Sequence, residues 1–144
     1  MGFTHLNLAS AYSAHYGVNR PEQLAGAAKA LGFEALAVTD RDGLYGAVKH
    51  IASCIKEGLH PIVGVNLEVT EMGRVVILAH GHNSGSGWGL ICRAISRAHN
   101  SRGKEPRPRL DLEELAAMVR ENPSCSILLG PESTVAKKLL PSPS

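Results

Sequence analysis

The side chains in this sequence that suit chemistry lie in short polar clusters, each close behind an apolar run. His5, Asn7, Ser10 and Ser13 stand in HLNLASAYS; Asp40 and Arg41 close EALAVTDR; Asn66 and Glu68 alternate within VNLEV; and His80 and His82 flank Gly81. Imidazole and carboxylate together suit zinc, manganese or iron. A divalent-metal set would therefore draw on His5, His15, Asp40, Glu68, His80 and His82. Arg41 and Arg74 point the other way, because a guanidinium cannot ligate a metal and its fixed charge repels one. Those two arginines suit an anion, or an internal carboxylate such as Asp40 or Asp42. Surface or hydrogen-bonded histidines remain the plain alternative.

A second cluster is basic. Arg97, Arg102, Lys104, Arg107 and Arg109 face the single acid Glu105, and Pro106 and Pro108 hold the segment extended. Such a run suits phosphate contacts, but no aromatic side chains interleave to stack bases, so a solvated surface loop is the competing reading. HGHNSGSGWG lacks the G-x-x-x-x-G-K-[ST] spacing of a phosphate loop and reads as a connection. Cys54, Cys92 and Cys125 show no C-x-x-C spacing, so neither a zinc ribbon nor a disulfide framework is indicated and reduced thiols are expected.

The 144 residues fit one domain, and 44% hydrophobic content gives it a core. Only 4% is aromatic, so that core is aliphatic. A net charge of +2 is too small to argue for nucleic acid or membrane from the total, so any electrostatic argument must be local. No apolar run approaches the ~20 residues of a membrane span, and the start lacks the pattern of a secretory signal, so a cytoplasmic protein is expected.

The elements that must position these residues alternate. Strands are expected at Phe3–Leu8, Ala35–Thr39, Pro61–Val69, Val75–Ala79 and Ser126–Leu129. A helix over 20–32 starts near Pro21 and stops at Gly32, and one over 43–58 sets Leu44, Val48, Ile51 and Ile55 on one face. Helices at 87–100, with Leu90, Ile91, Ala94 and Ile95 inward, at 110–122, with Asp111 as N-cap and Glu114 as its capping-box partner, and at 132–140 complete the pattern. The turn EMG between the third and fourth strands suits a hairpin. Alternation of this kind implies mostly parallel strands covered by helices, as a barrel or an open sheet.

FTHLNLASAYSAHYG, ALAVTDRDGLYGAVK and GLHPIVGVNLEV, in this order, resemble the start of the PHP (polymerase and histidinol phosphatase) domain of the bacterial DNA polymerase III alpha subunit and its error-prone paralogue. The likeness runs on through RVVILA, GLICRAISRAH and RPRLDLEEL, from residue 3 to about residue 130. It implies a metal site in active members, whose H-x-H pair falls here on Asn7 and Ala9, with His5 just before it. Their T-D-H motif is Thr39-Asp40-Arg41; their third-strand glutamate is Asn66, with Glu68 two residues on; and the histidine opening the next strand is Arg74. The resemblance thus implies a degenerate site, His5, Asn7, Ala9, Asp40, Arg41, Asn66 and Arg74, in which only Asp40 survives and no metal or other cofactor is held.

The family's barrel is larger than five strands can close. The expected fold is therefore α/β, an incomplete (β/α) PHP-type barrel over residues 1–140 with a disordered tail at 141–144. The expected function is a non-catalytic module of an alpha subunit, of error-prone type, supporting DNA replication or repair synthesis. A phosphoesterase or nuclease with a rearranged metal site, and a stand-alone interaction protein, are the alternatives. Expected partners are the rest of a polymerase chain, or a second copy through an open sheet edge, with weak DNA contact and no membrane.

Overall fold

The computed structural model describes residues 2–81, 84–101 and 106–140. Its elements are α1 (Pro21–Ala30), β1 (Ala35–Arg41), α2 (Ala47–Glu57), β2 (His60–Val69), β3 (Gly73–Ala79), α3 (Ser86–Asn100), α4 (Leu112–Glu121), β4 (Cys125–Leu128) and α5 (Thr134–Leu139). The strands form one four-stranded sheet in the order β1-β2-β3-β4. The chain divides into two compact units, Met1–Val65 and Asn66–Ser144, with the division inside β2.

In the first unit, Pro21 opens α1, where its missing N–H costs nothing, and the Arg20 N–H donates to Gln23 Oε1 at 2.9 Å. Ala25 and Ala28 of α1, small enough to let two helices approach closely, join Leu36, Cys54 and Leu59 in the core, with Leu8, Leu24 and Phe33 packed around them. α2 ends on Gly58, whose φ of 70° is the left-handed cap that glycine adopts without a Cβ penalty.

The face α2 turns inward is not the one its large apolar residues define. Ala47, His50, Ser53 and Cys54 are buried, whereas Val48 is 71% exposed and Ile55 66% exposed. Two contacts select the small-residue face: the close α1 packing, and the His50 Nε2–H, which donates to the Leu36 carbonyl of β1 at 3.0 Å.

The expected first strand, Phe3–Leu8, is not formed. The His5 carbonyl accepts from the Ala37 N–H and the Leu8 carbonyl from the Thr39 N–H, so the segment runs beside β1, but a bend at Leu6 and Asn7 breaks the ladder between these bonds. Among the described residues four strands therefore stand where five were expected.

In the second unit, β2 and β3 are joined through Glu71 at φ 64° and Gly73 at φ 72°, with the Met72 N–H bonded back to the Thr70 carbonyl at 2.7 Å. So short a connection reverses the chain, which parallel strands cannot do. β3 and β4 are also antiparallel, pairing Val76 with Leu128 and Ala79 with Cys125. These pairings correct the expectation of mostly parallel strands. α3 lays Leu90, Ile91, Ala94 and Ala98 on β3, close to the face its periodicity implied, and α4 packs on α3. Asp111 caps α4, accepting from the N–H groups of Glu113 and Glu114. The expectations placed on His82, Arg102, Lys104 and the 141–144 tail lie outside the described residues.

The two faces of α2 make a direct test. Ile55→Ser should shift stability by no more than about 0.5 kcal/mol, as for an ordinary surface substitution. Leu36→Ala, at a fully buried site, should cost about 2–5 kcal/mol. Urea denaturation of the two variants measures both, and a large loss for Ile55→Ser would mean that the apolar stripe faces the core.

Candidate functional site

The polar residues at the end of β1 converge on one buried carboxylate. Asp40, 2% exposed, accepts from the Ser10 N–H at 2.7 Å and from the Ser13 hydroxyl at 2.8 Å through the same oxygen, Oδ1. The Ser10 hydroxyl lies 3.0 Å from Oδ1 and 2.8 Å from Oδ2. Burying a charge is costly unless it is hydrogen-bonded in this way. The space is tight: a Cβ on Gly46 would come within 2.7 Å of Asp40 Oδ2 and 2.9 Å of Ser10 Oγ, so the turn entering α2 needs glycine.

The neighbouring residues are engaged in the same closure. The Arg41 N–H donates to Ser13 Oγ at 2.9 Å, while its guanidinium lies over the Tyr16 ring, 3.3 Å from the centroid. The Thr39 hydroxyl donates to Asn7 Oδ1 at 3.1 Å and accepts from the Leu8 N–H at 2.9 Å. His5 is held elsewhere, its ring against Phe3 at 4.7 Å and Phe33 at 5.6 Å. The bend at Leu6 and Asn7 undoes the strand alternation that would have set His5 and Asn7 on one face. Ala9 carries no donor atom, and His15 is an exposed residue at φ 69°.

Sequence reasoning grouped Ser10 and Ser13 as polar neighbours but did not assign them to Asp40. Their S-x-x-S spacing, compatible with a single turn, was the available signal. It also passed over His50, which is fully buried. Burial holds the His50 imidazole below its ordinary value, outweighing the Leu36 and Ile62 carbonyls and the Asp40 charge, all of which favour the cation. Cys54, 3.7 Å from that ring, has its thiol pushed up to about 11 by burial and is unreactive near neutral pH.

The second unit holds its own polar cluster on the β2–β3 hairpin. Arg74 donates from Nη1 to the Asn66 carbonyl at 3.1 Å and to Asn66 Oδ1 at 3.0 Å. Glu68 lies 3.7 Å from Arg74 Nε and 3.9 Å from Arg109 Nη2. His80 Nε2 meets Ser126 Oγ at 2.8 Å at the end of β3. Arg97 is exposed on α3, and Arg107 is exposed beside Pro108.

Among the described residues, neither unit presents a donor set that fits a divalent metal. Asp40 is already met on both oxygens by serine donors, and Asn66 Oδ1 by a guanidinium. Among the described residues no three His, Cys, Asp or Glu side chains gather in a way that could hold an ion.

Over residues 5–134 the sequence matches the PHP domain, and the chain belongs to that family. It is homologous to error-prone DNA polymerase and to the alpha subunit of DNA polymerase III. The error-prone DNA polymerase of Anaeromyxobacter sp. (strain K) is 37% identical over 106 residues, covering 70% of this chain and 9% of the relative. That of Mycobacterium bovis is 31% identical over 125 residues, covering 80% of this chain and 11% of the relative. The DNA polymerase III subunit alpha of Buchnera aphidicola is 35% identical over 103 residues, covering 67% of this chain and 9% of the relative. The chain thus spans about a tenth of these relatives' length. Among solved structures, Endonuclease Q in complex with a 27-mer duplex shares the fold at a TM-score of 0.57 and 18% identity, over 86% of this chain and 33% of that one.

Two measurements check this geometry. Asp40→Ala strands three donors and should lower stability by roughly 3 kcal/mol in urea denaturation; a neutral result would mean that the cradle does not form. For His50, the folded state resists the proton that the unfolded state accepts near pH 6.5, so stability present above that pH should fall as the solution is acidified below it. Urea midpoints between about pH 7.5 and 5.5 should drop, and His50→Gln should flatten that slope.

Proposed function

We propose that this chain is a non-catalytic PHP module of a bacterial DNA polymerase III alpha subunit of error-prone type. In this reading residues 1–140 act as one domain that supports replication or repair synthesis carried out by the rest of a polymerase polypeptide, in the cytoplasm. The site is degenerate: Asn7, Ala9, Arg41, Asn66 and Arg74 stand at the family's ligand positions, His5 packs against Phe33, and Asp40 is kept as a structural anchor. The observation that carries this reading is the Asp40 carboxylate, surrounded by serine donors rather than by other ligands.

The barrel in this reading is incomplete and is completed or covered by a partner. Exposed apolar side chains support that: Tyr45, Val48 and Ile55 lie along α2 and the turn before it, and Phe3, Tyr16 and Leu31 lie elsewhere on the first unit. The rest of a polymerase chain is the proposed partner, with self-association as the outcome when it is missing. Arg97, Arg102, Lys104, Arg107 and Arg109 would give at most weak, salt-sensitive contact with DNA. No helix among the described residues is long and apolar enough to cross a membrane.

Purified protein incubated with zinc or manganese and then desalted should retain far less than one metal per chain by elemental analysis, and should not hydrolyse a generic phosphodiester. One metal per chain, lost in Asp40→Asn, would favour the rearranged phosphoesterase instead.

A further inference from the structure

A cleft in the first unit is used by neither the Asp40 cradle nor the polymerase reading. Ala11, Tyr12, Arg20, Pro21, Glu22 and Lys49 line it, and its volume is about 370 Å³. We propose that it binds a small hydroxylated organic anion, with the anionic oxygens on Arg20 and Lys49 and a hydroxyl on Glu22. The inference goes beyond the polymerase reading and does not depend on it.

Charge and size define the ligand. The lining holds two cationic side chains and one carboxylate, a net charge of +1 by direct count, so an anion is favoured. The guanidinium fork of Arg20 matches the paired oxygens of a phosphate or a carboxylate, and the Lys49 ammonium adds a compact charge. Ionised Glu22 can only accept hydrogen bonds, so the ligand it suits carries a donor as well as a charge. Pockets that take whole organic molecules start at about 300 Å³, so the cleft has room for a sugar phosphate or a sugar acid.

Contacts already made in the fold set the frame of the cleft. Tyr12 follows the cradle directly: its N–H donates to Ser10 Oγ at 3.3 Å, and a Cβ on Gly46 would come within 3.1 Å of its ring. The Ala11 N–H donates to the Asn19 carbonyl at 2.9 Å, which draws together the ends of the loop before Arg20. Arg20 and Glu22 then stand at the start of α1, and Lys49 on α2, which packs on α1.

Lys49 is also oriented toward the cleft. Its ammonium, 5.6 Å from the Tyr12 ring centroid, donates to the Tyr12 hydroxyl. That bond, aided by the Glu22 charge, holds the Lys49 pKa above its ordinary value, so the cation persists at neutral pH. An ammonium has three donors, and two remain for a ligand. Arg20, Glu22 and Lys49 are all exposed, so a ligand reaches them from solvent.

The test is calorimetric titration of the intact chain at low salt with ribose 5-phosphate and, separately, with gluconate. The probe that binds should be about tenfold tighter than its bare counterpart, inorganic phosphate or formate, and uncharged ribose should not bind. Arg20→Gln and Lys49→Gln, both at exposed positions, should each weaken binding roughly tenfold, the loss of one charge-assisted contact. Circular dichroism melts check that each variant keeps the fold, and either one alone is enough for the test. Glu22→Ala should weaken binding severalfold, whereas on a merely positive surface the loss of an acid would strengthen it. Binding of only one probe names phosphate or carboxylate as the anionic group; binding of both, in competition, shows that the cleft reads their shared chemistry. No binding of either probe, a bare anion binding as tightly as its sugar counterpart, tighter binding by Glu22→Ala, or indifference to the cation substitutions overturns the proposal.

Discussion

The buried carboxylate of Asp40 is the constraint around which the first unit is organised. A charge 2% exposed has to be met by hydrogen bonds, and the nearest donors are supplied by residues 27–30 positions earlier in the chain. Meeting them folds the irregular N-terminal segment against the end of β1. The consequences spread outward: Ser13 also accepts from Arg41, Thr39 takes up Asn7 and Leu8, and the chain must turn through Gly46 because no Cβ fits beside the carboxylate. Asp40 is thus the centre of this hydrogen-bonded closure.

In the proposed degenerate site, the side chains at the ligand positions give the reason a cation is disfavoured. An imidazole or carboxylate offers lone pairs to a metal, whereas alanine offers none and a guanidinium offers only donors. Arg74 turns its donors onto Asn66, so two of these positions satisfy each other. The hairpin that holds them also places Glu68 beside Arg74 and Arg109.

Much of this was legible in the sequence, and the failures have identifiable causes. Helix ends marked by Pro21, Gly58 and Asp111 were readable because capping is local chemistry, and the EMG turn was readable because left-handed residues cluster there. The first strand was misread because a bend at Leu6 and Asn7 leaves no trace in an apolar-polar pattern. The α2 face was misread for a different reason. Val48 and Ile55 have the stronger apolar character, but close packing against α1 favours Ala47 and Cys54, and His50 is drawn in by the Leu36 carbonyl. The antiparallel β4 depends on how two helices return the chain to the sheet, which local periodicity does not encode. At the site, the serine cradle of Asp40 was not legible because Ser10 and Ser13 lie 30 and 27 residues away and meet the carboxylate only in three dimensions.

The central claim, that Asp40 is an anchor and not a ligand, is tested most directly by manganese titration followed in amide NMR spectra. Paramagnetic broadening should leave the Ser10, Ser13 and Arg41 amides no more affected than the rest of the chain at stoichiometric manganese. Selective loss of those three signals would place the ion at Asp40 and contradict the account.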